Sequence, residues 1–166
     1  MPLRVSAYTQ VASLPDEIVT SIRCIVMVED MVVLCENKDG RHAWPGGRRL
    51  PGESYADTAA REVHEETGWL LDCDSLKQLG WLHLMHLSQQ QGDNRYPYPD
   101  FLQVVFCARV SGRSVGHEDE WMDVDGYESS SRLVTVAHAM SATSADLLGN
   151  AFLKLLGRVG RTRLRN

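Results

Sequence analysis

The chain has 166 residues, 43% of them hydrophobic and 23% charged, and 17 Lys and Arg against 22 Asp and Glu leave a net charge of −5. That length suits a single domain, 1–166, whose core needs no disulfide or metal staple, and the ordinary charged fraction excludes disordered and fibrous classes. No apolar run approaches the roughly 18–20 residues of a membrane span, MPLRVSAYTQ lacks a signal-peptide apolar stretch, and an acidic balance disfavours general nucleic-acid binding, so a soluble cytoplasmic protein is expected.

In chain order, Ile22–Val28 and Met31–Cys35 are β-rich runs around Glu29-Asp30, a hairpin pattern, with Asn37-Lys38-Asp39-Gly40 as the next turn. His42-Ala43-Trp44-Pro45-Gly46-Gly47 reads as a loop, because a proline followed by two glycines breaks regular structure. Ser54 to Thr67 reads as a helix ended by Gly68. Leu79–Leu87 and Phe101–Val110 are predicted strands, separated by the polar loop QQQGDNRYPYPD, and Arg132–Val136 is a short strand. Ala145–Leu156 carries apolar residues at helical spacing. The interleaving without strict βαβ alternation predicts an α+β architecture, a mixed sheet between helices, with its core over about 20–157.

Cys24, Cys35, Cys73 and Cys107 form no Cys-x-x-Cys pair and have no His at zinc spacing; three lie among apolar neighbours and are expected to be reduced core residues. The basic C-terminal stretch, Lys154, Arg158, Arg161, Arg163 and Arg165, is read as a solvated, frayed end over 158–166 rather than as an arm for an anionic partner.

Residues 47–69, GRRLPGESYADTAAREVHEETGW, hold the chemistry. On a helical wheel Ala56, Ala59, Ala60, Val63 and Thr67 occupy one arc of about 100°, and Glu62, Glu65 and Glu66 another, with Arg61 at its edge. Three carboxylates in the last turns repel one another and oppose the helix dipole. A cation relieves that conflict, and an all-oxygen donor set selects Mg²⁺, Mn²⁺ or Ca²⁺ over zinc. The Pro-Gly-Gly loop just upstream lets backbone groups approach a metal or a phosphate closely.

The segment resembles the Nudix box, with Gly47, Glu53, Arg61, Glu62, Val63, Glu65, Glu66, Gly68 and Trp69 filling every required position. The resemblance implies a Nudix-like α/β/α sandwich and a Mg²⁺-dependent (or Mn²⁺-dependent) hydrolase that cleaves a phosphoanhydride in a nucleoside diphosphate linked to another group. By motif position, Glu62, Glu65, Glu66 and the Gly46 carbonyl are the implied metal ligands, with Arg61 and Glu53 as a supporting pair. The general base varies between Nudix subfamilies; here Glu128 is the candidate, with Glu118, Asp119 and Glu120 in the preceding loop beside it.

Outside the box the markers of ADP-ribose, dinucleoside polyphosphate, NADH and coenzyme A hydrolases are missing; Met85 and His86 stand about where the first would place a proline. A MutT-like nucleoside or deoxynucleoside triphosphate hydrolase is the resulting expectation. An ADP-ribose or nucleotide-sugar pyrophosphatase and a non-catalytic nucleotide-binding module are the alternatives, and the family leaves a homodimer open. Arg95 and Tyr96 are candidate substrate contacts, an arginine for phosphate and a ring for a base. His83 and His86 are expected to face opposite sides of their strand as hydrogen-bonded structural residues, and Trp44 and Trp81 to complete the core.

Overall fold

The computed structural model describes residues 2–38, 42–88, 96–114, 128–144 and 147–159. Among the described residues a seven-stranded mixed sheet runs β1 (Leu3–Tyr8), β5 (Trp69–His86), β6 (Asp100–Arg113), β2 (Val19–Val28), β3 (Met31–Asn37) and β4 (His42–Ala43), and β7 (Glu128–Thr135) pairs with β3 on the edge opposite β4. Among the described residues three α-helices cover it: α1 (Tyr55–Thr67), α2 (Val136–Ala142) and α3 (Leu147–Val159). None of these helices is long and apolar enough to cross a membrane.

The central strand β2 is buried on both sides, which explains its near-continuous apolar run. Cys24 and Val26 face one core layer with Ala59 and Val63 of α1; Ile25 faces the other with Phe152, Leu153 and Leu156 of α3 and Ala139 of α2. Helices therefore lie on both faces, as the sandwich expectation required. Cys24, Cys35 and Cys107 are buried free thiols, and Cys73 is an exposed one.

β2 pairs with β6 in parallel from Val19 to Met27, whereas its antiparallel pairing with β3 covers just Met27–Val28 against Met31–Val32. Beyond that point the two strands of the hairpin separate. The backbone groups this frees on β2 are taken by the Pro-Gly-Gly loop: Ile22 N–H donates to Gly47 O (2.9 Å), Cys24 N–H to Pro45 O (2.9 Å), and Arg49 N–H to Thr20 O (3.0 Å). The split in the sheet is thus filled by the loop that precedes α1, and this fixes where α1 begins.

Several sequence expectations change at the edges of elements. β5 starts at Trp69, ten residues before the predicted strand; its pairing with β6 slips between Leu70 and Leu71, Asp72 and Lys77, and Gln78 and Gly80, so alternation is broken there. His42 and Ala43 form a two-residue strand opposite Glu36 and Cys35 rather than loop. Val136 opens α2, capped by the Thr135 hydroxyl accepting from His138 N–H at 3.2 Å, rather than ending a strand. β1, unassigned in the sequence, adds antiparallel to β5 from Leu3–His86 to Tyr8–Trp81. Trp44 is buried in the core; Trp81 is half-buried and stacks on Tyr8 with ring centroids 5.1 Å apart. The predicted turn at 39–40 and the C-terminal residues from Gly160 lie outside the described residues, while Lys154 and Arg158 belong to α3.

Candidate active site

α1 is specified at both ends. Ser54 accepts from Asp57 N–H at 3.1 Å while the Asp57 carboxylate accepts from Ser54 N–H at 3.2 Å, a reciprocal capping box. Gly68 ends the helix in the left-handed region at φ +70°, its N–H donating to His64 O. The face that packs on the sheet carries Thr58, Ala59, Val63 and Thr67, all fully buried, and this turns Arg61, Glu62, Glu65 and Glu66 toward the Pro-Gly-Gly loop.

There Arg61 is the hub. Its Nε and Nη2 donate to the two Glu53 oxygens at 2.7 and 3.0 Å, its Nη1 donates to Glu62 Oε1 at 2.8 Å and Glu65 Oε2 at 3.0 Å, and Nη2 also reaches Arg48 O at 3.0 Å. Glu53 Oε2 further accepts from Leu50 N–H and from the Thr58 hydroxyl, each at 2.9 Å. With Arg61 foremost, these donors hold the Glu53 carboxyl down to about 2. Burial pushes Glu62 in the opposite direction, above the ordinary glutamate range, against the hydrogen bond and charge of Arg61 and the weaker pull of Arg23.

Glu66 is engaged elsewhere: its Oε2 accepts from Gly46 N–H at 2.9 Å, which ties the helix to the loop. Two glycines make that approach possible. A Cβ at Gly46, where φ is +144°, would run into the Ile22 carbonyl and lie 2.8 Å from Arg23 Cα; a Cβ at Gly47 would lie 2.5 Å from a Glu62 carboxylate oxygen. The box glycine is therefore the surface against which the Glu62 carboxylate rests.

The structure brings Gly46, Glu53, Arg61, Glu62, Glu65 and Glu66 together at one loop–helix junction. Among the described residues no three acidic, His or Cys side chains are placed so that they could hold a metal ion between them. The resident cation is the Arg61 guanidinium. The donor set itself fits a hard divalent ion, since every side chain offered is a carboxylate and the Gly46 backbone stands beside Glu66.

Glu128 opens β7 opposite Asn37 and is described at its backbone alone. Arg95 and the 118–120 acidic cluster lie outside the described residues. Tyr96 stacks on Phe101 at 4.5 Å between centroids, with the Arg48 guanidinium 4.7 Å over its other side. His83 is a structural residue, its Nε2 2.6 Å from Asp100 Oδ2. His86 is not hydrogen-bonded through its ring, contrary to expectation: neither nitrogen has a partner among the described residues although both are shielded from solvent. Sequence reasoning also passed over Arg23, whose Nη1 donates to Trp44 O at 2.8 Å and whose charge reaches Glu62. The signal was there, a lone arginine inside the apolar run Ile22–Val28.

The NUDIX domain family model matches residues 18–144. The chain belongs to the Nudix hydrolase family. Among solved structures, a point mutant of the pyrophosphohydrolase BsRppH from Bacillus subtilis is similar at 20% identity and a TM-score of 0.57, over 78% of this chain and 70% of that one. A NUDIX hydrolase from Nitrosomonas europaea is similar at 19% identity and a TM-score of 0.56, over 75% of this chain and 76% of the other. At these identities the likeness is one of fold. No curated protein matches the sequence.

Proposed function

We propose that this protein hydrolyses a phosphoanhydride bond in a nucleoside diphosphate linked to a further group, with nucleoside or deoxynucleoside triphosphates as its substrate class and Mg²⁺ or Mn²⁺ as its metal. The observation that supports this most is the convergence of Glu53, Arg61, Glu62 and Glu65 on one side of the Pro-Gly-Gly loop with the Glu66–Gly46 tie on the other. A bare structural helix gains nothing from three glutamates in its last turns.

In this reading Glu62, Glu65, Glu66 and the Gly46 carbonyl hold the ion, which when bound supplies Lewis acidity and neutralises phosphate charge. Arg61 and Glu53 are positioning residues: the two-pronged contact between them fixes the guanidinium, and the guanidinium fixes where Glu62 and Glu65 point. Glu128, or an acid of the 118–120 loop, accepts the proton of the attacking water. The buried free thiols fit a reducing compartment such as the cytoplasm.

The test is phosphate and pyrophosphate release from a panel of nucleoside triphosphates, ADP-ribose, dinucleoside polyphosphates and nucleotide sugars, run in Mg²⁺, in Mn²⁺ and in chelator, beside Glu66→Gln. The expected result is metal-dependent turnover of triphosphates that the variant loses. Silence across the panel, with nucleotides still raising the melting temperature, would replace this reading by a binding module. A preference for ADP-ribose or a nucleotide sugar would move the substrate class and leave the site assignment standing.

A further inference from the structure

The last turn of α1 carries Glu65 and Glu66, and helix ends are where backbone order is weakest. Here that turn is tied to the end of β6 by a closed circuit of hydrogen bonds. Gly68 N–H donates to His64 O at 2.9 Å, Ser114 N–H donates to Gly68 O at 3.0 Å, and His64 Nε2 and Ser114 Oγ lie 2.7 Å apart. His64 and Ser114 are both half-buried, so water competes for their contact only in part.

The circuit sits in a reinforced corner. Trp69 and Arg113 form the first pair of the β5–β6 ladder, and the Arg113 guanidinium lies 5.1 Å over the Trp69 ring. The hydroxyl of the buried Thr67 accepts from Trp69 N–H at 3.2 Å. The chain therefore turns from α1 into β5 against a fixed strand end.

A glycine cap in the left-handed region is enough to end a helix, so the side-chain contact of His64 has another consequence. On a wheel His64 falls about 160° from Glu62 and Glu66 and about 100° from Glu65. It stands off the acidic face, where Arg61 bonds Glu65 and Gly46 N–H bonds Glu66. The end of α1 is thus gripped from two directions, toward the Pro-Gly-Gly loop by its glutamates and toward β6 by His64. Losing the second grip lets the last turn fray or roll without removing any partner of the glutamates.

We propose that His64 and Ser114 are positioning residues of the site: their contact clamps the last turn of α1 onto β6 and so sets where Glu65 and Glu66 stand. The consequence for turnover rests on the hydrolase reading above, but the clamp itself needs neither metal nor substrate.

The experiment separates the two. Amide hydrogen exchange is followed by NMR in excess chelator for the wild type, Ser114→Ala, His64→Leu, the double variant and Ser114→Thr. Binding of Mn²⁺ alone is then titrated by EPR, and hydrolysis of nucleoside triphosphates is assayed in Mg²⁺. Losing a hydrogen bond of ordinary strength shifts a local opening equilibrium by roughly three- to tenfold. Exchange at Thr67, Gly68 and Ser114 should accelerate by about that factor in either single variant, and the first turn of α1, held by its own cap, should not change. The double variant should go no further than the singles, because both remove one contact. Mn²⁺ should bind roughly two- to tenfold more weakly, since the ordered turn is less populated. In turnover kcat should fall by about tenfold, as a shift of a fraction of an ångström at a reacting site produces, with KM held within about twofold. Ser114→Thr keeps the hydroxyl and should restore exchange, Mn²⁺ affinity and kcat together.

Unchanged exchange in both single variants overturns the clamp. Accelerated exchange with wild-type Mn²⁺ affinity and kcat overturns the positioning role and leaves a structural contact. Accelerated exchange with weakened Mn²⁺ binding, in a protein whose wild type hydrolyses no triphosphate, keeps the clamp and its hold on the glutamates and overturns the hydrolase.

Discussion

Gly46 and Gly47 are neighbours in the chain, yet replacing each by alanine should fail for a different reason. At Gly46 the added Cβ meets rigid backbone, the Ile22 carbonyl and Arg23 Cα at 2.8 Å, and the residue sits at φ +144°, where an L side chain is strained. Neither obstacle can move without unzipping the loop from β2, which would release the Ile22–Gly47 and Cys24–Pro45 hydrogen bonds. Overpacking costs about 1–3 kcal/mol and a disallowed backbone conformation about 1–3 kcal/mol more, so Gly46→Ala should lose roughly 3 kcal/mol or more of stability. At Gly47 the obstacle is the Glu62 carboxylate, 2.5–2.6 Å from the new atom, at the end of a side chain that can swing. Restoring an ordinary contact of about 3.4 Å moves that carboxylate by close to 1 Å, and a displacement of that size in a reacting site costs about a hundredfold in rate. Gly47→Ala should therefore unfold within about 1 kcal/mol of the wild type in urea while its turnover falls by around two orders of magnitude. Full activity in Gly47→Ala would refute the placement of Glu62 at the site, and a Gly46→Ala protein as stable as wild type would refute the packing of the loop on β2.

Arg61→Ala should cost about 2–3 kcal/mol in urea unfolding, since it strands Glu53 and Glu62 in a partly buried setting. Arg61→Lys should not restore turnover, because a point charge cannot make the two-pronged contact to Glu53. The depressed Glu53 pKa has a signed consequence: its folded value of about 2 lies below the unfolded range near 4.3, so its contribution is complete above that range and is lost as pH falls toward 2. Urea midpoints between pH 6 and 2 should thus decline more steeply in the wild type than in Glu53→Gln; parallel curves would place the acid sensitivity elsewhere. Ser54→Ala removes the exposed cap of α1 and should lower stability by about 1 kcal/mol while kcat stays unchanged, read by thermal unfolding beside the rate assay.

The parts of the fold that showed in the sequence were those whose local signals agreed. The Glu29-Asp30 hairpin, with Glu29 at φ +53°, and α1 from its Ser54 cap to Gly68 have turn or cap chemistry at both boundaries. β5 hid its first ten residues because bulges near Asp72 and Gln78 destroy the two-residue period, and Asp72 and Asp74 are poor strand formers. β1 is short and half-exposed, so its membership in the sheet depends on β5 rather than on its own pattern. α2 is a seven-residue helix that begins directly where β7 ends, and its Thr135 cap sits inside what reads as a continuous apolar run. Tertiary context decided each of these.

The site was legible in its members and not in its internal bonding. Clustered glutamates on one helical face call for an external cation when read from sequence, yet in the structure Arg61 already relieves part of their repulsion, bonding Glu53, Glu62 and Glu65 at once. A wheel could place Arg61 at the edge of the acidic arc but could not show that Glu53, outside the helix, anchors it. That arrangement answers how a chain can carry this many carboxylates together and still fold before any ion binds. It also separates the glutamates by what holds them. Glu53 is locked through both oxygens by the guanidinium, a backbone N–H and the Thr58 hydroxyl, so turning it would break several bonds together. Glu62 and Glu65 both accept from Arg61 Nη1, and Glu66 accepts from the Gly46 backbone N–H. The Glu53–Arg61 anchor thus stands apart from Glu62, Glu65 and Glu66, the three glutamates that the resemblance to the box implies as metal ligands.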